Sequence, residues 1–171
     1  MAIRKILITG GNGNIGRLVA ERFIAAGTRV ISFDQPDIQS TADVTANIAG
    51  DIRDVDLLER TLDTHKPDAI LHLASLLSGS SEANPKAAWV INATASVNLM
   101  HMAAERGIGP FVFASTVASY APVFPEVLPA DAPQWPGNVY GATKVAVERM
   151  GVWLKQSAGF DFRCVRFPMV L

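Results

Sequence analysis

A chain of 171 residues carries 15 Lys and Arg against 16 Asp and Glu, for a formal net charge of −1, and 49 % of it is hydrophobic. That balance predicts one globular domain with a sizeable core and excludes a disordered chain, and no run of Lys or Arg offers a nucleic-acid or membrane surface. Cys164 is the single cysteine, no apolar run approaches the ~20 residues of a membrane span, and the run after Arg4 and Lys5 is too short for a signal peptide, so the expectation is a cytoplasmic protein without an internal disulfide.

Short apolar runs alternate with amphipathic segments, the pattern of a parallel sheet covered by helices. Ile3–Thr9 reads as a buried strand. Asn14–Ala26 reads as a helix whose face is Ile15, Leu18, Val19, Arg22 and Phe23, with Gly27 ending it. Arg29–Phe33 is a second strand and Val44–Ala49 a weaker third. Asp54 caps a helix running to about His65, and Pro67 lies just beyond its end. Ala69–Leu73 is another buried strand. Asn84-Pro85 opens a helix expected to continue to Arg106, stopped by Gly107. Pro110–Ala114 is a strand. The stretch 116–138 holds prolines 122, 125, 129, 133 and 136 and reads as a long irregular loop, of the kind that serves a site. Val139–Ala158 is helical, ended by Gly159, and Phe162–Phe167 is a last strand. The expected fold is α/β: a Rossmann-like, doubly wound parallel sheet of about six strands with helices on both faces.

The first turn carries the strongest motif, Thr9-Gly10-Gly11-Asn12-Gly13-Asn14-Ile15-Gly16. Gly10 allows the tight turn, Gly13 lets backbone approach a pyrophosphate, and Gly16 lets the helix pack close to the strand. Gly11 is an extra residue that loosens the turn. The helix start at Asn14, Ile15 and Gly16 offers N–H groups and a positive dipole end to phosphates. Following a strand and opening a helix, the motif reads as a dinucleotide site. Asp34 stands 18 positions after Gly16, just past the second strand. A carboxylate there accepts hydrogen bonds from a ribose diol and repels a 2′-phosphate, which favours NAD over NADP.

Tyr140 and Lys144 share one face of the last helix. A phenol titrates at ~10, and a nearby ammonium is expected to lower that value until the group can move a proton near neutrality. Such a pair needs a third polar group on the substrate oxygen. Ser115 and Thr116 leave a strand at its carboxyl end, where ligands bind in open α/β sheets; Thr116 is the first choice and Ser115 the competitor.

Taken together, the spacing Thr-Gly-x-x-Gly-x-x-Gly, Asp34, Asp51-Ile52, His72-Leu73-Ala74, Asn92, Ser115-Thr116, Tyr140-x-x-x-Lys144 and Arg166-Phe167-Pro168 resembles the extended short-chain dehydrogenase/reductases, the NAD-dependent epimerase/dehydratase group. The resemblance implies that Asp51 and Ile52 contact the adenine, that Leu73 and Ala74 line the phosphates and ribose, that Asn92 lies beside the site, and that Phe167 and Pro168 approach the nicotinamide. It implies catalytic roles for Thr116, Tyr140 and Lys144. Leu76-Leu77-Ser78, Glu82 and Asn84-Pro85, then Trp89 and Asn92, are similar to short-chain-type L-threonine dehydrogenases and sugar-acid dehydrogenases, which makes Ser78 and Glu82 candidate substrate contacts. The glycine loop reads Asn-Gly-Asn, and Tyr120-Ala121 stands where many relatives have Tyr-Gly or Phe-Gly.

Relatives of this type run to ~300 residues, and by that analogy the whole of 1–171 is the NAD-binding domain, with a substrate domain missing. The expected function is NAD-dependent hydride transfer at a hydroxyl-bearing carbon of a sugar, sugar acid, nucleotide sugar or hydroxy amino acid. The alternatives are a truncated NAD-binding module without chemistry of its own, and a nucleotide-sugar epimerase or dehydratase. The expected partners are a small-molecule substrate and further copies of the chain. No metal is expected, since His65, His72, His101 and Cys164 lack ligand spacing. His72 reads as structural, Trp89 and Trp153 as packed helix residues, and Trp135 as a loop residue able to touch substrate.

Overall fold

The structure is a computed structural model that describes residues 3–38, 42–120, 127–129 and 131–168. Pro122, Pro125 and Ala121 lie outside the described residues. Six strands form one sheet: β1 (Lys5–Thr9), β2 (Arg29–Asp34), β3 (Ala46–Ala49), β4 (Ala69–His72), β5 (Phe111–Thr116) and β6 (Phe162–Phe167). Every pairing is parallel, in the order β3-β2-β1-β4-β5-β6. Chain direction across the sheet reverses between β1 and β4, and a crevice opens there at the carboxyl ends of the strands.

The helices are α1 (Asn14–Ala25), α2 (Val55–His65), α3 (Ser78–Ala83), α4 (Pro85–Ala88), α5 (Ala95–Glu105) and α6 (Val139–Ala158). Strand side chains alternate between faces. Leu7, Ile31, Phe33, Ile70, Phe111 and Phe113 pack with Leu58 and Leu62 of α2, Leu99 and Met100 of α5, and Val147 and Leu154 of α6. Ile6, Ile8, Val30 and Ala69 pack under Ala20 of α1, with Phe23 and Ile24 alongside. Asp54, Asn84 and Asn138 each cap the helix that follows, accepting from Leu57, Ala87 and Gly141 backbone N–H groups at 2.9, 3.1 and 2.7 Å.

The structure corrects several expectations. The buried face of α1 is Gly16 and Ala20, and Leu18 is 56 % exposed. Small residues let this helix sit close on the sheet; of the expected face, Phe23 packs beside Ala20, Ile15 and Val19 are half-buried, and Leu18 and Arg22 are exposed. The helix expected from Asn84 to Arg106 is one rod interrupted by a π-helical stretch, Trp89–Thr94, and preceded by the separate α3. Trp89 and Trp153 lie half exposed rather than packed. β3 begins at Ala46, β2 and β5 run on to Asp34 and Thr116, and a 3₁₀ turn, Val117–Ser119, follows β5 where loop was expected. Gly11 does not loosen the turn: a Cβ there would meet Ser32 Oγ at 2.5 Å, so its bareness is a packing requirement.

Candidate functional site

The crevice is a cleft of ≈ 800 Å³ along the carboxyl ends of β1, β2, β4, β5 and β6. At one end lies the glycine loop. Gly10 has φ +69°, and its missing Cβ would sit 2.9 Å from the Ala74 nitrogen; a Cβ at Gly16 would strike the Gly10 carbonyl oxygen at 2.2 Å. The loop is therefore pressed onto both β4 and its own helix. Gly13 caps α1 without a side chain, and no acidic residue occupies the first turn, whereas α2, α4 and α6 are each capped by a side chain. The uncapped N–H groups and the glycine cradle fit an anionic pyrophosphate.

Asp34 lines the next part of the cleft. Its carboxylate accepts from the Asn12 and Gln35 backbone N–H groups at 2.9 and 2.8 Å, which hold it at the tip of β2. Asn12 also donates through Nδ2 to the Ile38 carbonyl and Asn47, and accepts from Ser32 Oγ at 2.7 Å. This side chain, singled out for no role from the sequence, ties the glycine loop to the ends of β2 and β3. Ile52 lines the cleft beside Gly50. Asp51 does not: its carboxylate is held by Arg53, whose hydrogen bonds pull its pKa below the ordinary value.

Leu73, Ala74, Ser75, Leu76, Leu77 and Ser78 form the wall after β4. Asn92 is fully buried behind it. Its Oδ1 accepts from the Leu76 N–H at 2.7 Å and its Nδ2 donates to the Leu76 carbonyl at 3.0 Å, so it shapes the wall without lining it. Glu82 is also outside the cleft, accepting the first N–H of α6, that of Val139, at 2.7 Å. Trp135 is 74 % exposed and away from the cleft.

Beneath the wall, His72 is fully buried between two hydroxyls, Thr9 Oγ1 at 2.5 Å and Ser96 Oγ at 2.7 Å. The proton positions follow from the neighbours. Ser96 gives its hydrogen to the Asn92 carbonyl at 2.7 Å, so it accepts from His72 Nε2–H. Nδ1 is then an acceptor for Thr9, which in turn accepts from the Ala74 N–H at 3.4 Å. Burial, with help from the charge of Lys144, drives the imidazole pKa down to about 3.

At the far end, Thr116, Tyr140, Lys144, Phe167 and Pro168 meet. Strand alternation separates the two candidate hydroxyls. Ser115 donates into the protein, to Glu148 Oε1, while Thr116 Oγ1 accepts from the Ala118 N–H at 3.1 Å and keeps its own hydrogen. Gly141, beside Tyr140, permits close contact with that turn: a Cβ would lie 2.1 Å from the Ala118 carbonyl oxygen. Lys144 is 1 % exposed and donates to the Ala114 carbonyl at 2.9 Å, with its nitrogen 5.4 Å from the Tyr140 ring centre. Burial lowers the lysine to about 7. The expected lowering of Tyr140 is absent. Burial raises the phenol pKa, and a hydrogen bond with Ser75 opposes the rise only in part. Lys144 is turned to Ala114 and does not offset this burial.

Ser75, Gly141 and Glu148 went unassigned in the sequence. The signal for Glu148 was available: it lies one and two turns after Lys144 and Tyr140, a charged residue on a buried face.

The model of the NAD dependent epimerase/dehydratase family matches residues 6–171. A UDP-glucose 4-epimerase of Halalkalibacterium halodurans is 32 % identical over 166 residues, which span 95 % of this chain and 49 % of that protein. A mitochondrial L-threonine 3-dehydrogenase of Sus scrofa is 31 % identical over 98 % of this chain and 46 % of its own length. The chain thus spans about half the length of these relatives. Among solved structures, L-threonine dehydrogenase from Clostridium difficile superposes with a TM-score of 0.89 at 29 % identity, covering 98 % of this chain and 54 % of that one. The UDP-glucose 4-epimerase of Thermus thermophilus, in complex with NAD, gives 0.87 at 26 % identity, covering 95 % and 54 %. With its six-stranded parallel sheet, its glycine cradle and a family match running from β1 to the last residue, the chain belongs to the NAD dependent epimerase/dehydratase family.

Proposed function

We propose that this chain binds NAD with its adenosine ribose on Asp34 and its pyrophosphate at the start of α1, and that it catalyses hydride transfer at a hydroxyl-bearing carbon of a sugar, sugar acid, nucleotide sugar or hydroxy amino acid. The observation that carries this reading is convergence. One cleft holds the glycine loop and Asp34 at one end, and Thr116, Tyr140 and Lys144 at the other.

NAD, when bound, supplies the hydride acceptor and a positive charge beside Tyr140. Thr116 donates its remaining hydrogen to the substrate oxygen and orients it. Tyr140 exchanges a proton with the same oxygen. Its raised pKa makes it a phenol, hence a proton donor, in the free protein at neutral pH; service as a base requires added positive charge nearby. Lys144, close to half protonated near neutrality, supplies part of that charge when it leaves the Ala114 carbonyl. Phe167 and Pro168 close the cleft at this end and help exclude water.

Self-association belongs to the same reading. Trp89 and Val90, and Val152 and Trp153 on α6, are apolar and exposed, and such surface favours contact with a second copy.

The test is calorimetric titration with NAD and NADP, then a screen of alcohols, sugars and hydroxy amino acids at the NADH absorbance. NAD binding with turnover that Tyr140→Phe abolishes is the expected result. Full turnover by Tyr140→Phe removes the assigned proton donor. Binding with no turnover on any substrate reduces the chain to an NAD-holding module, and no NAD binding rejects the reading.

A further inference from the structure

Glu148 is a carboxylate with only 1 % of its surface exposed. It stands at the meeting point of segments that are far apart in the chain. Ser115, at the end of β5, donates to its Oε1. Arg166, on β6, grips it with a fork, Nη2 to Oε2 at 2.7 Å and Nε to Oε1 at 3.1 Å. Gln134, from the loop before α6, donates to Oε2 at 3.0 Å and is itself held by Arg149 at 2.7 Å. Arg166 also donates to the Tyr120 hydroxyl, just past the 3₁₀ turn. Burial works to raise the Glu148 carboxyl, and the hydrogen bonds from Arg166, Ser115 and Gln134 overcome it and bring the pKa below its ordinary value.

Three of the segments joined here, β5, β6 and α6, carry residues of the far end of the cleft. Ser115 precedes Thr116, Arg166 precedes Phe167, and Glu148 lies on the helix of Tyr140 and Lys144. A buried ion pair is a poor device for stability alone, since well-packed apolar side chains serve that purpose at least as well. A forked, directional contact instead sets the register of the elements it joins.

We propose that Glu148, with Arg166, is a positioning residue that holds Thr116 and the Phe167-Pro168 edge against Tyr140. The proposal rests on the proposed function in one respect, that Thr116 and Tyr140 meet the reacting oxygen. Neither Glu148 nor Arg166 lines the cleft; they act through the end of β5 and its turn.

The test uses the full chain, Glu148→Gln and Arg166→Lys. The first keeps an acceptor and loses the charge; the second keeps the charge and loses the fork. Amide hydrogen exchange in the free protein reads the Ala118 N–H, which bonds Thr116 Oγ1, against Leu7 and Ile31 in the core. Both variants are expected to speed Ala118 by ~10-fold or more while Leu7 and Ile31 change less than ~2-fold, because local opening is separable from global unfolding. Binding is read with NAD and with ADP-ribose, which lacks the nicotinamide. The variants should lose ~10-fold more affinity for NAD than for ADP-ribose, the scale of a sub-ångström displacement. Unchanged Ala118 exchange, or equal acceleration at Ala118 and Leu7, overturns the positioning role. So does an unchanged ratio of NAD to ADP-ribose affinity in a parent protein that binds both. A parent that binds neither ligand refutes the proposed function, and the exchange data still judge the role of Glu148.

Discussion

Replacing Gly141 by alanine adds one methyl group where α6 crosses the turn after β5. The added carbon would lie 2.1 Å from the Ala118 carbonyl oxygen, 2.8 Å from its carbon and 2.9 Å from Pro136 Cβ. Backbone cannot swing aside like a side-chain tip, so helix and turn must separate by about 1 Å, an overpacking that costs about 1–3 kcal/mol. At an ordinary helical position the same change gains up to about 1 kcal/mol. Gly79 in α3 provides that reference, since a Cβ there meets nothing within 4 Å. Urea unfolding should therefore show opposite signs, Gly79→Ala stabilised and Gly141→Ala destabilised. The same separation parts Tyr140 from Thr116, and a displacement near 1 Å lowers turnover by about 100-fold. A Gly141→Ala protein as stable as its parent would refute the packing argument and, with it, the claim that this contact sets the spacing of the site.

Asp34→Ser removes the carboxylate that accepts from Asn12 and Gln35, so NAD should bind more weakly and the preference over NADP should shrink about tenfold, read by titration with both; an unchanged preference would dissociate Asp34 from the ribose. Lys144 titrates near 7 in the folded chain against 10.5 ordinarily. The unfolded chain therefore binds more protons between those values, and stability gained through this group rises with pH across about 7 to 10.5, by up to about 1.4 kcal/mol per pH unit. Lys144→Met should lack this slope in urea unfolding at a series of pH values, and parallel curves would show that the ammonium is not desolvated. Glu148 shifts the other way: its lowered pKa contributes stability that is present above the ordinary carboxylate range and is lost as pH falls through the folded value, so Glu148→Gln should flatten the acid side of the stability profile.

Much of this was legible in the chain. α6 and β6 have the bounds expected from Gly159 and the apolar run at Phe162, because caps and strand composition act locally. The glycine loop, Asp34 and the Tyr140–Lys144 pair fall in one cleft, because a parallel sheet gathers the carboxyl ends of its strands on one edge. What escaped depends on contacts distant in sequence. Leu18 resembles a core residue because periodicity reports apolar stripes, and it cannot see that small residues bring α1 closer to the sheet. α3 reads Ser-Gly-Ser-Ser-Glu-Ala, with no apolar period to announce a helix. The π-helical stretch around Asn92 has no propensity signature and matches the need to aim one amide at Leu76. The state of Tyr140 escapes because spacing reports the charge of Lys144 and not the burial of both groups.

The hydrogen-bond chain from Ala74 through Thr9, His72 and Ser96 to Asn92 has a further consequence. Its two ends admit only one polarity, since a backbone N–H can only give and a carbonyl can only receive. A second proton on His72 would take away the acceptor to which the Thr9 hydroxyl now donates and leave that hydroxyl accepting from both His72 and the Ala74 N–H. The protein thus keeps an imidazole under its cleft wall that is deaf to acid. Between mildly acidic and alkaline conditions the imidazole stays neutral and this part of the wall keeps its shape.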